Sequence, residues 1–240
     1  MQYCLDVHTH TIASGHAYSS LQEMVAMAKQ KGLELVGISD HAPGMPGSTY
    51  IYYFQNLRVV PKEIDGVKVL KGVEANIIDY QGRIDMSVNE LKQLDYVIAS
   101  MHPPCIKAST KRNNTRALIK TMENQYVNII GHPDDSRYPM DYEEIVVAAK
   151  ENNVLLEINN ASLNPIGFRG NAVVATRQIL ALCMRFNHPV ILGSDAHISY
   201  DVGNFEYCLP VLAEIEFPKE LIVNRSTEAL LKFLAYKKTL

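Results

Sequence analysis

Histidine and carboxylate side chains hold transition metals, and in this chain they recur at one kind of place. His8 and His10 follow the apolar run Tyr3–Val7, His41 follows Leu33–Ser39, and Glu74 follows Val67–Val73. His102 follows Tyr96–Ser100, His132 follows Asn128–Gly131, and Asp195 and His197 follow Val190–Gly193. With His16 added, seven of the eight histidines belong to this set. Imidazole and carboxylate suit a borderline-soft ion such as zinc, with manganese or iron as alternatives, whereas magnesium and calcium favour oxygen ligands. His8 and His10 are two residues apart, as are Asp195 and His197. On extended backbone that spacing puts both side chains on one side, where they can grip a single ion. His188 serves as the control, because it precedes an apolar run and is expected at the opposite face in a structural or exposed position.

Each run before a ligand-type residue is short, apolar and β-branched, the pattern of a buried parallel strand. Helix-like segments alternate with these runs at Leu21–Lys31, Asn114–Glu123, Asp141–Lys150 and Asn171–Arg185, with Asp141 as a capping residue. A further strand is expected at Val154–Ile158, and two terminal helices near Phe205–Ala213 and Ser226–Ala235. Seven strand–helix alternations imply parallel strands with right-handed crossovers. An open doubly wound sheet would alternate in the same way, but ligands drawn from nearly every strand suit a closed ring, whose strand C-termini meet at one face. The expected fold is therefore an α/β, distorted (β/α)7 barrel of TIM-like type, one domain spanning 1–240, with the metal cluster at the C-terminal face of the strands. The segment Ala42–Pro61, rich in Pro, Gly and Tyr, is expected to be a long ordered loop of the lid or binding kind.

Hydrophobic residues at 47% and charged residues at 20% place the chain among ordinary globular proteins. No apolar stretch approaches the roughly 20 residues that span a bilayer, and no signal peptide is visible, so a cytoplasmic protein with no membrane partner is expected. Cys4, Cys105, Cys183 and Cys208 show no paired spacing and read as reduced thiols. A net charge of −3 argues against nucleic acid as a partner.

The motifs DVHTH at Asp6–His10, SDH at Ser39–His41, GVEAN at Gly72–Asn76, SMHP at Ser100–Pro103, GHP at Gly131–Pro133 and GSDAH at Gly193–His197 together resemble the PHP family of polymerase-associated domains and histidinol phosphatases. The resemblance covers essentially the whole chain, in the family's order. The stretch His8–Leu21 is similar to the small stand-alone phosphatase branch. It implies three divalent ions, usually zinc. Carried over by position, His8, His10, Glu74 and Asp195 would hold one ion. Glu74 would bridge to a second held with His102 and His132, and His16, His41 and His197 would hold a third. The resemblance also hints at a homo-oligomer, with a trimer suspected.

The chemistry such a cluster supports is hydrolysis of phosphate monoesters of small metabolites by a metal-bound hydroxide, with concentrated positive charge on the phosphoryl oxygens. Asp195 is a candidate proton shuttle to the leaving oxygen. Arg58, Arg169 and Asn159 are candidate substrate contacts, the arginines through a bidentate fork on phosphate. Asp6 and Asp40 each stand where a carboxylate could orient an imidazole, although strand alternation points Asp6 toward the site itself. Lys107, Lys111 and Arg112 read as solvated surface, Tyr50, Tyr52 and Tyr53 as pocket lining or loop packing, and Cys105 as a bystander. The alternatives are a PHP-type phosphodiesterase or exonuclease acting on nucleic acid, and a metal-binding module without catalysis.

Overall fold

Strand and helix alternate along a sheet that curls back on itself. The computed structural model describes residues 3–237. Its strands are β1 (Leu5–Asp6), β2 (Leu35–Ile38), β3 (Glu63–Ile64), β4 (Val67–Asn76), β5 (Tyr96–Ser100), β6 (Ile129–Ile130), β7 (Leu155–Asn159) and β8 (Val190–Gly193). Seven of them run parallel in the order β1-β2-β4-β5-β6-β7-β8, and β3 is a short antiparallel flap on the start of β4. The helices are α1 (Leu21–Gln30), α2 (Ile51–Asn56), α3 (Val88–Leu91), α4 (Lys111–Met122), α5 (Tyr142–Glu151), α6 (Ala172–Phe186), α7 (Cys208–Glu214) and α8 (Thr227–Lys237).

The ring closes between β8 and β1 without a full ladder. Thr9 pairs in parallel with Ala196, and the His10 N–H donates to the Ala196 carbonyl at 2.8 Å. Side chains complete the seam. The Asp6 carboxylate accepts from Ser194 N, from Ser194 Oγ at 2.5 Å and from Gly203 N at 2.8 Å. Lower down, Asn224 donates to the carbonyls of Leu5 and Leu192 and accepts from Leu192 N at 2.7 Å. Asp6 thus ties two strand ends together and binds no imidazole, contrary to the roles the sequence offered it.

Inside the ring Leu5, Val7, Leu35, Tyr96, Ile98, Ile129, Leu155 and Ile191 pack together, and Leu230 and Leu234 of α8 join the same cluster. Tyr96 fills this space because Gly37 and Gly72 leave it open: a Cβ at either would lie 2.4 or 2.3 Å from the tyrosine's side-chain atoms. Its hydroxyl donates to the Val7 carbonyl at 2.7 Å.

Local chemistry accounts for the helix starts. Ser20 and Glu23 form a reciprocal capping box on α1, and Asp141 caps α5 through Glu144 N as the sequence indicates. Helix α4 begins at Lys111, a turn earlier than expected, because Thr110 accepts from Asn113 N. Ala42–Pro61 is only partly loop, since it carries α2 and a 3-10 turn at Leu57–Val59. Among the described residues no helix is long and apolar enough to cross a membrane.

Candidate metal centre

The strand ends, with the loop that carries His16, bring all nine ligand-type residues to one face of the ring. Glu74, fully buried near the end of β4, lies at the middle. Its Oε1 is 3.0 Å from His132 Nε2, 3.2 Å from His102 Nε2 and 3.4 Å from His8 Nε2. Its Oε2 is 2.7 Å from His41 Nδ1 and 3.5 Å from His10 Nε2. Asp195 Oδ1 stands 3.3 Å from His10 Nε2 and 3.5 Å from His8 Nε2. At the outer side His16 Nε2 and His197 Nε2 face each other at 3.1 Å. Two ligands on one tetrahedral zinc, each at about 2.0 Å, are separated by a similar distance.

The other ring nitrogen of four histidines is held by a hydrogen bond, and this fixes which nitrogen faces inward. His8 Nδ1 donates to Glu157 Oε1 at 2.6 Å. His10 Nδ1 meets Ser14 Oγ at 3.0 Å, and that hydroxyl gives its only proton to Asp40 Oδ1 at 2.7 Å, so the imidazole must be the donor. His102 Nδ1 bonds Asn76 Oδ1 at 2.7 Å, while Asn76 Nδ2 donates to Ala42 O and Asp85 Oδ2. His197 Nδ1 donates to the Asp195 carbonyl at 2.9 Å. In each case the neutral ring keeps its lone pair on Nε2, the tautomer a metal ligand requires.

The inward atoms meet only one another, at 2.7–3.5 Å, and most of them find no hydrogen bond. His8 Nε2, His10 Nε2, His102 Nε2, His41 Nδ1 and Glu74 Oε2 are buried without a hydrogen bond. Such orphaned groups are expensive unless a bound ion satisfies them. The grouping by distance is His8/His10/Glu74, His41/Glu74/His102 and His10/His41/His197. Asp195 and His132 border these groups through Oδ1 and Nε2. The donor set therefore fits transition-metal ions, with His10 and His41 placed nearer to one another than the family-based division of ligands suggests.

Electrostatics point the same way. Burial opposes ionisation of Glu74, yet the imidazoles of His102, His8 and His41 outweigh it and hold its pKa well below the usual carboxylate range. Burial likewise opposes Asp195 ionisation, and Arg169 foremost, with His8, overrides it. Burial disfavours protonated His8, but Glu157, Asp195 and Glu74 raise its pKa well above normal. For His10 burial dominates, with His197 and His41 adding to it, and its pKa falls well below normal. The centre is a set of fixed anions that collects positive charge, whether as protons or as metal.

Two centre residues carry uncommon backbone angles: His132 has φ of 30° and Asp195 φ of 57°. Non-glycine residues in this region are held there by their surroundings. The motif glycines serve close approach. A Cβ at Gly193 would lie 1.7 Å from Glu157 Oε1, and one at Gly131 2.2 Å from Ser100 Oγ.

The predicted substrate contacts are placed differently. Arg58 is exposed and borders a separate cavity lined also by Thr11, Tyr52 and Tyr53, away from the imidazoles. Asn159 is consumed internally: Nδ2 donates to Glu157 and Asp195, and Oδ1 accepts from Arg169 and Ser162 N. Arg169 is buried, bonding Asp195 Oδ2 at 2.8 Å and Asn159 Oδ1 at 3.0 Å, so it braces Asp195 while lining the pocket. A carboxylate so clamped stays ionised, which counts against Asp195 as a proton shuttle. Asp40 accepts from Thr11, Ser14 and Tyr53, reaching His10 only through Ser14. Tyr50 and Tyr52 are exposed, and Lys111 pairs with Asp141. Cys105 bonds Gly44 O, and burial raises its thiol pKa to about 11. His188, buried, bonds the Val154 carbonyl.

Glu157 escaped the sequence reading, as did Ser14 and Asn76. Glu157 left a signal, being the single carboxylate inside the apolar run Val154–Ile158 and alternating inward with Leu155 and Asn159. Through it this strand, which supplies none of the nine ligand-type residues, still braces the centre.

Fold and site together define an α/β barrel whose C-terminal face carries a buried imidazole–carboxylate cluster. A PHP domain model matches residues 6–161. The chain is 45% identical to a probable phosphatase of Clostridium novyi (strain NT) over 237 residues, covering 99% of this chain and 96% of that protein. It is 48% identical to a probable phosphatase of Caldicellulosiruptor bescii over 230 residues, covering 96% and 95%. The chain belongs to the PHP family, and these relatives support a hydrolase acting on phosphate esters. The fold is shared with histidinol phosphate phosphatase from Lactococcus lactis, a structure complexed with zinc, L-histidinol and phosphate, with a TM-score of 0.62, 20% identity, and coverage of 90% of this chain and 95% of that one.

Proposed function

We propose that this protein is a metal-dependent phosphatase that hydrolyses phosphate monoesters of small metabolites, using three divalent ions, zinc foremost. The observation that carries this reading is the set of buried, unpartnered nitrogens and oxygen around Glu74. His8, His10, His16, His41, Glu74, His102, His132, Asp195 and His197 would hold the ions. Bound there, the ions supply Lewis-acid charge for phosphoryl oxygens and lower the pKa of water to near neutrality.

The chain's own residues do the positioning. Glu157, Ser14, Asn76 and the Asp195 carbonyl keep Nε2 of four histidines inward. Arg169 keeps Asp195 ionised and fixed. A pocket of about 470 Å³ opens above the cluster between Met45, Pro103, Pro104, Arg137, Ala161 and Phe168. Among the described residues no serine, threonine or cysteine lines it, which favours direct attack by water over a covalent seryl, threonyl or cysteinyl intermediate.

The test is metal content by elemental analysis, paired with p-nitrophenyl phosphate hydrolysis on the same sample. About three transition-metal ions per chain, with turnover lost on chelation and reduced in His16→Ala, is the expected result. Fewer than two ions, with no gain from added zinc or manganese, would overturn it.

A further inference from the structure

Apart from the buried Nε of Arg169, which no ligand reaches, the charged groups of the pocket are accounted for except at one point on its rim. Among the described residues Asp195 is its only carboxylate, with Oδ1 facing His8 and His10 and Oδ2 taken by Arg169 and Asn159. Arg169 directs Nη1 and Nη2 at Asn159, Ser162 and Asp195. Arg137 is different. Its Nε and Nη2 bond the buried Asp135 carboxylate, which fixes the guanidinium plane, and its Cζ lies 5.2 Å from the centre of the Phe168 ring. Among the described residues Nη1 finds no hydrogen-bond partner, and the side chain is 34% exposed at the pocket mouth. The rest of the wall, Met45, Pro103, Pro104, Ala161 and Phe168, is apolar and carries no charge.

We propose that Arg137 selects the leaving group, favouring phosphate monoesters that carry a second anionic group and excluding those that carry an ammonium. This rests on the phosphatase reading for the end of the substrate that enters the metal centre. The chemistry is one of available partners. An anion at the rim meets a pre-oriented guanidinium nitrogen, and charge-assisted hydrogen bonds of this kind are about twice as strong as neutral ones. An ammonium there meets two arginines and no free carboxylate, so it gives up hydration without gaining a partner. Asp135 already accepts from Arg137 and from the Arg137 backbone N–H, and its burial keeps it from a ligand. An amino alcohol phosphate is therefore a poor fit to this pocket, although the fold is shared with a histidinol phosphate enzyme.

Three six-carbon sugar phosphates of similar size separate the cases: 6-phosphogluconate carries a carboxylate, glucose 6-phosphate is neutral beyond its phosphate, and glucosamine 6-phosphate carries an ammonium. Each is titrated calorimetrically into zinc-loaded protein and assayed in parallel for phosphate release. The wild type should rank them in that order, with at least a tenfold spread between first and last in binding. Arg137→Gln should collapse the spread to about twofold, and Arg137→Lys should keep part of it. Because loss of Arg137 strands the buried Asp135, Ala161→Asp provides a second route: a carboxylate added to the apolar wall should raise the rank of glucosamine 6-phosphate with Arg137 in place. Equal binding of all three by the wild type, or an unchanged ranking in Arg137→Gln, would overturn the proposal. The ranked binding without phosphate release would leave this selectivity standing and sink the phosphatase reading instead.

Discussion

Replacing Glu157 by glutamine removes one negative charge and keeps the volume. The carboxylate accepts three hydrogen bonds, from His8 Nδ1 at 2.6 Å, His132 N at 2.7 Å and Asn159 Nδ2 at 3.0 Å. Glutamine has one accepting oxygen, so one side of this arrangement must fail. If the oxygen turns to His132 and Asn159, the amide NH2 faces His8 Nδ1, which must then accept. The His8 proton moves to Nε2, and the lone pair aimed at the cluster disappears. Loss of an outer partner of this kind weakens metal affinity about 10–100-fold, or about 1.4–2.8 kcal/mol. If the oxygen instead turns to His8, the buried His132 N–H is stranded, costing about 1–3 kcal/mol of folding stability. For a chain of this size that lowers Tm by several degrees, at about 2–4 °C per kcal/mol. The assay is competition for zinc against a chromophoric chelator, with thermal unfolding of apo and loaded protein. Zinc affinity within twofold of wild type together with an unchanged apo Tm would refute the role assigned to Glu157.

Two further outcomes are expected. Burial pushes the His188 pKa down to about 4, so the neutral form is favoured in the folded chain while the unfolded chain titrates near 6.5. The unfolded state then binds more protons between those values, and stability present above about pH 6.5 is lost as pH falls toward 4, by up to about 3 kcal/mol. His188→Asn should flatten that part of the acid limb in urea unfolding measured from pH 7.5 to 4.5, and an unchanged slope would contradict the assignment. At Gly72 an added Cβ would lie 2.3 Å from Tyr96 Cζ. Gly72→Ala should therefore lose about 1–3 kcal/mol by overpacking. The companion change Tyr96→Leu should make the two substitutions non-additive in chemical denaturation, whereas simple additivity would show that the ring does not meet position 72.

The placement of the cluster was legible because a parallel strand has only one C-terminal end, and every ligand-type residue but His16 was read relative to such an end. His8, His41, Glu74, His102, His132 and Asp195 needed no loop geometry to be gathered on one face. Arg58 did. It lies in a segment whose path depends on α2 and the turn after it, and lateral position along a loop is not encoded in periodicity. Asn159 was offered as a substrate contact, but the sequence could not show that Arg169, ten residues on, would turn back to occupy it. Ser14 and Asn76 stand within the quoted motifs or beside them. Their importance rests on which hydroxyl proton and which amide oxygen face an imidazole, and that is a matter of three-dimensional hydrogen bonding.

The seam between β8 and β1 has a bearing on how the molecule comes to exist. Asp6 meets Ser194 across 188 residues of chain, and Asn224 meets Leu5 across 219. Contacts of such separation demand loop closure before they return any stabilisation, and they slow folding. His8 and His10 leave the ribosome early, yet Asp195 and His197 stand on the far bank of the seam and emerge last among the cluster. A nascent chain that lacks the segment around Asp195 therefore holds an open seam and an incomplete cluster. On the metal-centre reading proposed above, capture by the complete set must wait for that segment to be made.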